Sequence, residues 1–190
     1  MIYTPQFKVM LDANVIYPAP IRDLLLNIAD LNLIAPKWTE LIQEEWIRNL
    51  LKNRPDLSNS NLKRTVKMMN KAFPDAQVYD FEELIDRLEL PDENDRHVLA
   101  AAIKCDAEAI ITFNKKDFPR KYLRDYEIEI YSPDELLVLL NKFSPEVINK
   151  AFENQLASLK NPPVSRKELI NTLIKCKIKS AKKILKLKNG

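Results

Sequence analysis

A chain of 190 residues, 46% hydrophobic and 30% charged, is long enough for one globular domain with an appendage and too apolar to be disordered. Its two cysteines, Cys105 and Cys176, lie far apart with no Cys-x-x-Cys or Cys/His cluster, which argues against a structural zinc site and a disulfide-built secreted fold. The single glycine, Gly190, excludes Gly-rich phosphate loops, and no apolar run approaches the roughly 18 residues that span a bilayer.

No basic segment followed by an apolar run opens the chain, so no signal peptide is expected. The expectation is a reduced, soluble, cytoplasmic protein without stable membrane association. The net charge of +3 hides an asymmetry: residues 166–190 carry nine Lys or Arg against Glu168, a sum of +8, which leaves 3 − 8 = −5 for the rest. An acidic body with a basic tail points to a polyanionic partner or a surface-bound tail.

Taken in order, Val9 to Leu11, carried in from Phe7, is a short apolar run that reads as a buried parallel strand and ends abruptly at Asp12, with Asn14 two residues on. Ile21–Leu31 follows as a helix, introduced by Pro18 and Pro20. Leu33–Ala35 reads as a second strand stopped by Pro36. Trp38–Leu51 reads as a helix with Trp38, Leu41, Ile42, Trp46 and Leu50 at helical spacing. Ser58–Phe73 continues helical, Gln77–Tyr79 is a weak strand, and Phe81–Leu88 a short helix.

Asp95–Cys105 is a helix with Val98, Leu99, Ala102 and Ile103 as its stripe. Ala109–Phe113 is the second strong strand, followed by Asn114 and Asp117, and Ile128–Tyr131 is the last. Ser132-Pro133-Asp134-Glu135 has the pattern of a capping box with proline at the first helical position. Alternating helices and strands predict a parallel sheet flanked by helices. From Ser144 only helices are expected, with Asn161-Pro162-Pro163 as a turn, so a boundary is placed near Lys142–Ser144. The tail, with Leu169, Ile170, Leu173, Ile174, Ile178 and Ala181 among its lysines, reads as one basic amphipathic helix. Its apolar face would dock while the outer lysines stay solvated or meet RNA phosphates.

In open α/β sheets, ligands bind outside the carboxyl ends of the strands, where Asp12 is expected. Three further acids fall where they could converge on it. Glu45 lies four residues after Leu41, on the apolar stripe, while Glu44 lies about 100° round the helix. Asp95 opens the Val98–Ile103 helix and is preferred to Asp92 because it abuts that stripe. Asp117, with Asn114, follows the second strong strand. Each has an ordinary reading: a cap for Asp12 and Asp95, a stripe-edge side chain for Glu45, a loop residue for Asp117. Jointly they describe clustered carboxylates, which repel and require hard cations; oxygen ligands suit Mg²⁺ or Mn²⁺. Arg96 could hold a phosphate or pair with Asp92 or Glu93, and the lone histidine, His97, is read as structural before catalytic.

The segments Leu11-Asp12-Ala13-Asn14, Glu44-Glu45-Trp46, Asp92 through Ala102, and Thr112 through Pro119 resemble, in order, the motifs of the PIN domain family. The nearest branch is the PilT N-terminus-like, VapC-type toxins. The resemblance covers roughly residues 5–142. It implies a Rossmann-like α/β/α sandwich with a central parallel sheet over 1–142 and leaves 143–190 as a basic C-terminal α-helical extension. It also implies a Mg²⁺- or Mn²⁺-dependent endoribonuclease, acting as the toxin of a type II toxin–antitoxin pair.

Carried over position by position, Asp12, Glu45, Asp95 and Asp117 match the family's acidic quartet, with Asp12 and Asp95 as the most direct metal ligands. Asn14 and Asn114 match its polar positions, and Arg96 is a further substrate- or ligand-orienting candidate. The fourth acid varies in the family, so Asp117 is the least fixed of the set. RNA as substrate, a homodimer and a cognate antitoxin follow from the same resemblance. Two rival classes remain: a non-catalytic RNA-binding or scaffold protein keeping the fold, and a haloacid-dehalogenase-type phosphatase with Asp12 as nucleophile. The second wants an Asp where Asn14 stands.

Overall fold

The computed structural model describes residues 6–185. In chain order they form β1 (Phe7–Leu11), α1 (Ala13–Ile16), α2 (Ala19–Asp30), β2 (Ile34–Lys37), α3 (Glu40–Asn53), α4 (Asn59–Ala72), α5 (Glu82–Ile85) and α6 (Arg96–Lys104). Then come β3 (Ala109–Ile111), α7 (Arg120–Leu123), β4 (Glu129–Tyr131), α8 (Pro133–Phe143), α9 (Pro145–Ser158), α10 (Arg166–Lys175) and α11 (Ala181–Ile184). All strand pairings among these residues are parallel, in the order β2-β1-β3-β4.

The apolar runs explain the sheet. Val9, Met10 and Leu11 are fully buried, as are Ala109, Ile110 and Ile111. Successive strand residues point to opposite faces, so continuous burial means both faces are covered by helices. This is the expected α/β/α architecture with a central parallel sheet. No helix among the described residues is long and apolar enough to cross a membrane.

Several local expectations are corrected. Pro36 does not stop β2 but sits inside it, opposite Val9. The strand is at the sheet edge, where a proline's missing N–H costs no ladder bond on the open side. The third helix begins at Glu40, not Trp38, because Thr39 is its N-cap and accepts from the Ile42 N–H at 3.1 Å. Trp38 stays extended, its N–H donating to the Ala76 carbonyl and its carbonyl accepting from Val78. Gln77 makes one isolated bridge to Trp38 rather than opening a strand. The buried side of α3 is therefore Ile42, Gln43 and Trp46, and Leu41 is 42% exposed. The short helix predicted over Phe81–Leu88 is helical only at Glu82–Ile85.

On α6 the buried face is Val98 to Ala102, with Ile103 only half-buried. The predicted capping box at Ser132/Glu135 is formed, and a second box, Ser165/Glu168, opens α10. The tail is not one helix. It breaks after Lys175, with Lys177 in the left-handed region at φ 71°, and resumes as α11. Helices α9 and α10 pack on α2, and α11 packs on α8. The Gln155 amide donates to the Pro20 carbonyl, and the Ser180 N–H to Asp134 Oδ1 at 2.8 Å.

Candidate active site

The parallel register builds the site. Leu11 pairs with Ile111, so the next residues, Asp12 and Thr112, stand side by side at the carboxyl ends of β1 and β3. The strand order reverses here, since the chain leaves β1 toward β2 and returns on its other side at β3. That makes it the topological switch point, the usual ligand crevice of such sheets. Helix α6 leads into β3 and packs on β1 and β3, so its N-terminus lies at the same carboxyl edge.

Asp12 is 4% exposed and precedes α1, yet its side chain caps nothing. Its Oδ2 instead accepts from Thr112 Oγ1 at 2.6 Å and from Asn14 Nδ2 at 2.5 Å. Asn14 Oδ1 accepts from the Phe113 N–H, and Thr112 Oγ1 from the Asn114 N–H, both at 3.0 Å. One polar network therefore ties the two strand ends together. Thr112 is its fully buried hub, and the sequence reading passed over it as a residue. A β-branched residue at a strand end is ordinary; only its register against Asp12 marks it.

Asp95 stands at the first position before α6 with no side-chain cap bond, whereas Asp92 is exposed and accepts from the Asn94 N–H at 2.9 Å. Capping is thus carried by Asp92 and leaves the Asp95 carboxylate uncommitted. Glu45 is half-buried on α3 while Glu44 is exposed. Its Oε2 lies 3.6 Å from His97 Nε2. Asp117, half-buried, ends a short 3-10 turn after β3, and Asn114 is exposed beside it. Arg96 turns to Glu93 at 3.0 Å rather than to the other acids.

The electrostatics show these groups sensing one another. Burial pushes the Asp12 carboxyl above its ordinary value and Glu45 adds to this, against the pull of the Thr112 hydroxyl, the Ala13 amide and His97. Burial pushes Asp95 up to about 7, reinforced by the negative charges of Asp12, Asp92, Asp117 and Glu45. Among the described residues, no three His, Cys, Asp or Glu side chains close into a ready ligand cage. What stands at the strand ends is an all-oxygen set of mutually repelling carboxylates. That donor chemistry fits a hard divalent cation and not zinc.

A pH dependence follows. The unfolded Asp95 value is 3.8 and the folded one about 7. The stability from holding this proton is present below the lower value and lost as pH rises through the upper. Thermal melts in EDTA are expected to show Tm falling between about pH 4 and 7, and Asp95→Asn to flatten that fall. An unchanged slope in Asp95→Asn would show that the proton is held elsewhere.

A buried aspartate at the first strand end of a parallel sheet, with acids from two helices and the β3 loop around it, offers oxygen ligands that could hold a hard cation. Comparison with known proteins gives the family. Residues 8–116 match the PIN domain, and the chain belongs to the PIN domain family. A protein of Mycobacterium tuberculosis described as "putative ribonuclease VapC50" is 34% identical over 79 residues. The match covers 42% of this chain and 47% of that protein, so the chain spans about half the relative's length. No solved structure matches.

Proposed function

We propose that the protein is a Mg²⁺- or Mn²⁺-dependent endoribonuclease and the toxin of a toxin–antitoxin pair. The observation that carries this is the uncompensated acidic cluster at the switch point, with Asp95 pushed up to about 7 by burial and its acidic neighbours. No lysine or arginine pairs with Asp12, Asp95 or Asp117 among the described residues. A site meant only for folding would neutralise such charges. The ribonuclease description of the relative supports RNA as the substrate class.

In this reading Asp12 and Asp95 hold the cation most directly, and Glu45 and Asp117 complete the oxygen shell. The bound ion would activate the attacking water and stabilise the phosphoryl and leaving oxygens. Thr112 and Asn14 fix the Asp12 carboxylate so that its orientation is set before substrate arrives. Asn114 orients substrate at the rim, and Arg96, committed to Glu93, acts on the approach to the site. The cognate antitoxin would cover this edge, and the active form would be a homodimer. The division near residue 142 separates a nuclease body from a basic extension.

The test is cleavage of a mixed pool of structured RNA by purified protein in Mg²⁺, in Mn²⁺ and in EDTA. Cutting in either metal and none in EDTA is expected. Protein free of any copurified partner that neither cuts nor binds metal would overturn the assignment and leave an RNA-binding module with the same fold.

A further inference from the structure

The C-terminal tail returns to the sheet edge that carries the acidic site. Helix α8 starts at the carboxyl end of β4, the sheet edge that carries Asp12. The Ser180 N–H donates to Asp134 in the first turn of α8, which brings the turn between α10 and α11 to that same edge. Within this turn Lys177 Nζ lies 5.2 Å from the centre of the Phe113 ring. The Phe113 backbone is itself part of the site, because its N–H donates to Asn14 Oδ1 at 3.0 Å and Asn14 bonds Asp12.

The position of Lys177 is built rather than incidental. Its N–H donates to the Ile174 carbonyl and the Ile178 N–H to Leu173, both at 2.9 Å, closing the end of α10. Ile178, inside the turn, and Ala181, which opens α11, are both buried. The lysine is exposed, and among the described residues it pairs with no carboxylate. A second cation near this rim, Lys115, is spent on Glu135 at 2.7 Å. An exposed ammonium over an aromatic face, one residue from a carboxylate network, suits the phosphate of an extended single strand whose base meets the ring.

We propose that Lys177, supplied by the C-terminal extension, binds a backbone phosphate of the RNA beside the scissile bond, with Phe113 beneath it. This rests on the ribonuclease reading above and names a substrate contact for it. The extension then belongs to the substrate groove rather than only to the fold. It holds the strand while the carboxylates face the neighbouring phosphodiester.

The test uses the whole protein and Lys177→Gly, Lys177→Arg and Lys104→Ala. Glycine is the residue the left-handed position favours, so Lys177→Gly removes the side chain without straining the turn, and its Tm should equal or exceed that of the parent. Lys104 ends α6 at the opposite edge of the sheet and reports general charge. With a single-stranded RNA in Mg²⁺, Lys177→Gly is expected to raise KM roughly three- to tenfold with kcat within about twofold. Binding, measured in an Asp12→Asn background, should show a salt dependence shallower by about 0.7 in log–log slope. Lys177→Arg should restore both, and Lys104→Ala should change neither. If the parent cleaves RNA and Lys177→Gly matches it in KM and salt slope, the contact is refuted while the nuclease stands. Faster cleavage by Lys177→Gly would also refute it, since the tail would then shield the site. A parent that neither binds nor cleaves RNA removes both readings.

Discussion

Replacing Asp12 by asparagine is expected to lower RNA cleavage at least about a hundredfold while the fold survives. Asp12 is 4% exposed, and burial already holds its carboxyl above the ordinary range. Asparagine keeps the shape, and its amide oxygen can still accept from Thr112 and Asn14. What disappears is the negative charge, which burial disfavours and which the proposed metal-dependent cleavage would use. In EDTA the Tm of Asp12→Asn should therefore equal or exceed that of the parent. In Mn²⁺ the parent should gain thermal stability that the variant does not. Full activity in the variant would remove Asp12 from the reaction. Lost activity with a markedly lower Tm would assign the residue to folding instead.

That Asp12 lies at a strand end was legible because an all-apolar run can stop at a carboxylate only where the sheet meets solvent or a ligand. Glu45 was reached by a less secure path. The stripe used to place it counted Trp38, which lies outside α3, and Leu41, which faces solvent. The true buried face includes Gln43, whose Oε1 accepts from the Trp46 indole at 2.5 Å. A hydrogen-bonded glutamine among apolar residues cannot be told from a surface one by periodicity. Thr112 was hidden for a similar reason, because its role exists only through the Leu11–Ile111 register. In the tail, the hydrophobic period runs on through Ile174 and Ile178, and nothing local announces the turn. The usual stop signal is glycine, and this chain places Lys177 there. The break is set by tertiary packing of Ile178 and Ala181, which a helical pattern does not reveal.

Phe152→Ala is expected to destabilise the whole protein by about 3–5 kcal/mol. Phe152 is fully buried on α9, beside Ile148 and Ala151, where that helix packs along α2. The ring also seats the Arg166 guanidinium, 4.9 Å from its centre, and Arg166 in turn pairs with Glu153 and donates to the Leu185 carbonyl at 2.8 Å. Truncation thus leaves a cavity and loosens the clamp that closes α10 against the chain end. Against a typical total of about 5–15 kcal/mol this is a large fraction. For a chain of this size it corresponds to a Tm lower by about 10 °C. The transition should remain single, because α2 shares one core between β2 on one side and α9 on the other. A separate early transition, with the remainder melting at the parental temperature, would instead show that the extension folds on its own. A shared core also bears on the substrate contact. An extension with its own folding equilibrium would present Lys177 from a moving arm, whereas one sharing α2 holds it over Phe113 at little entropic cost on binding.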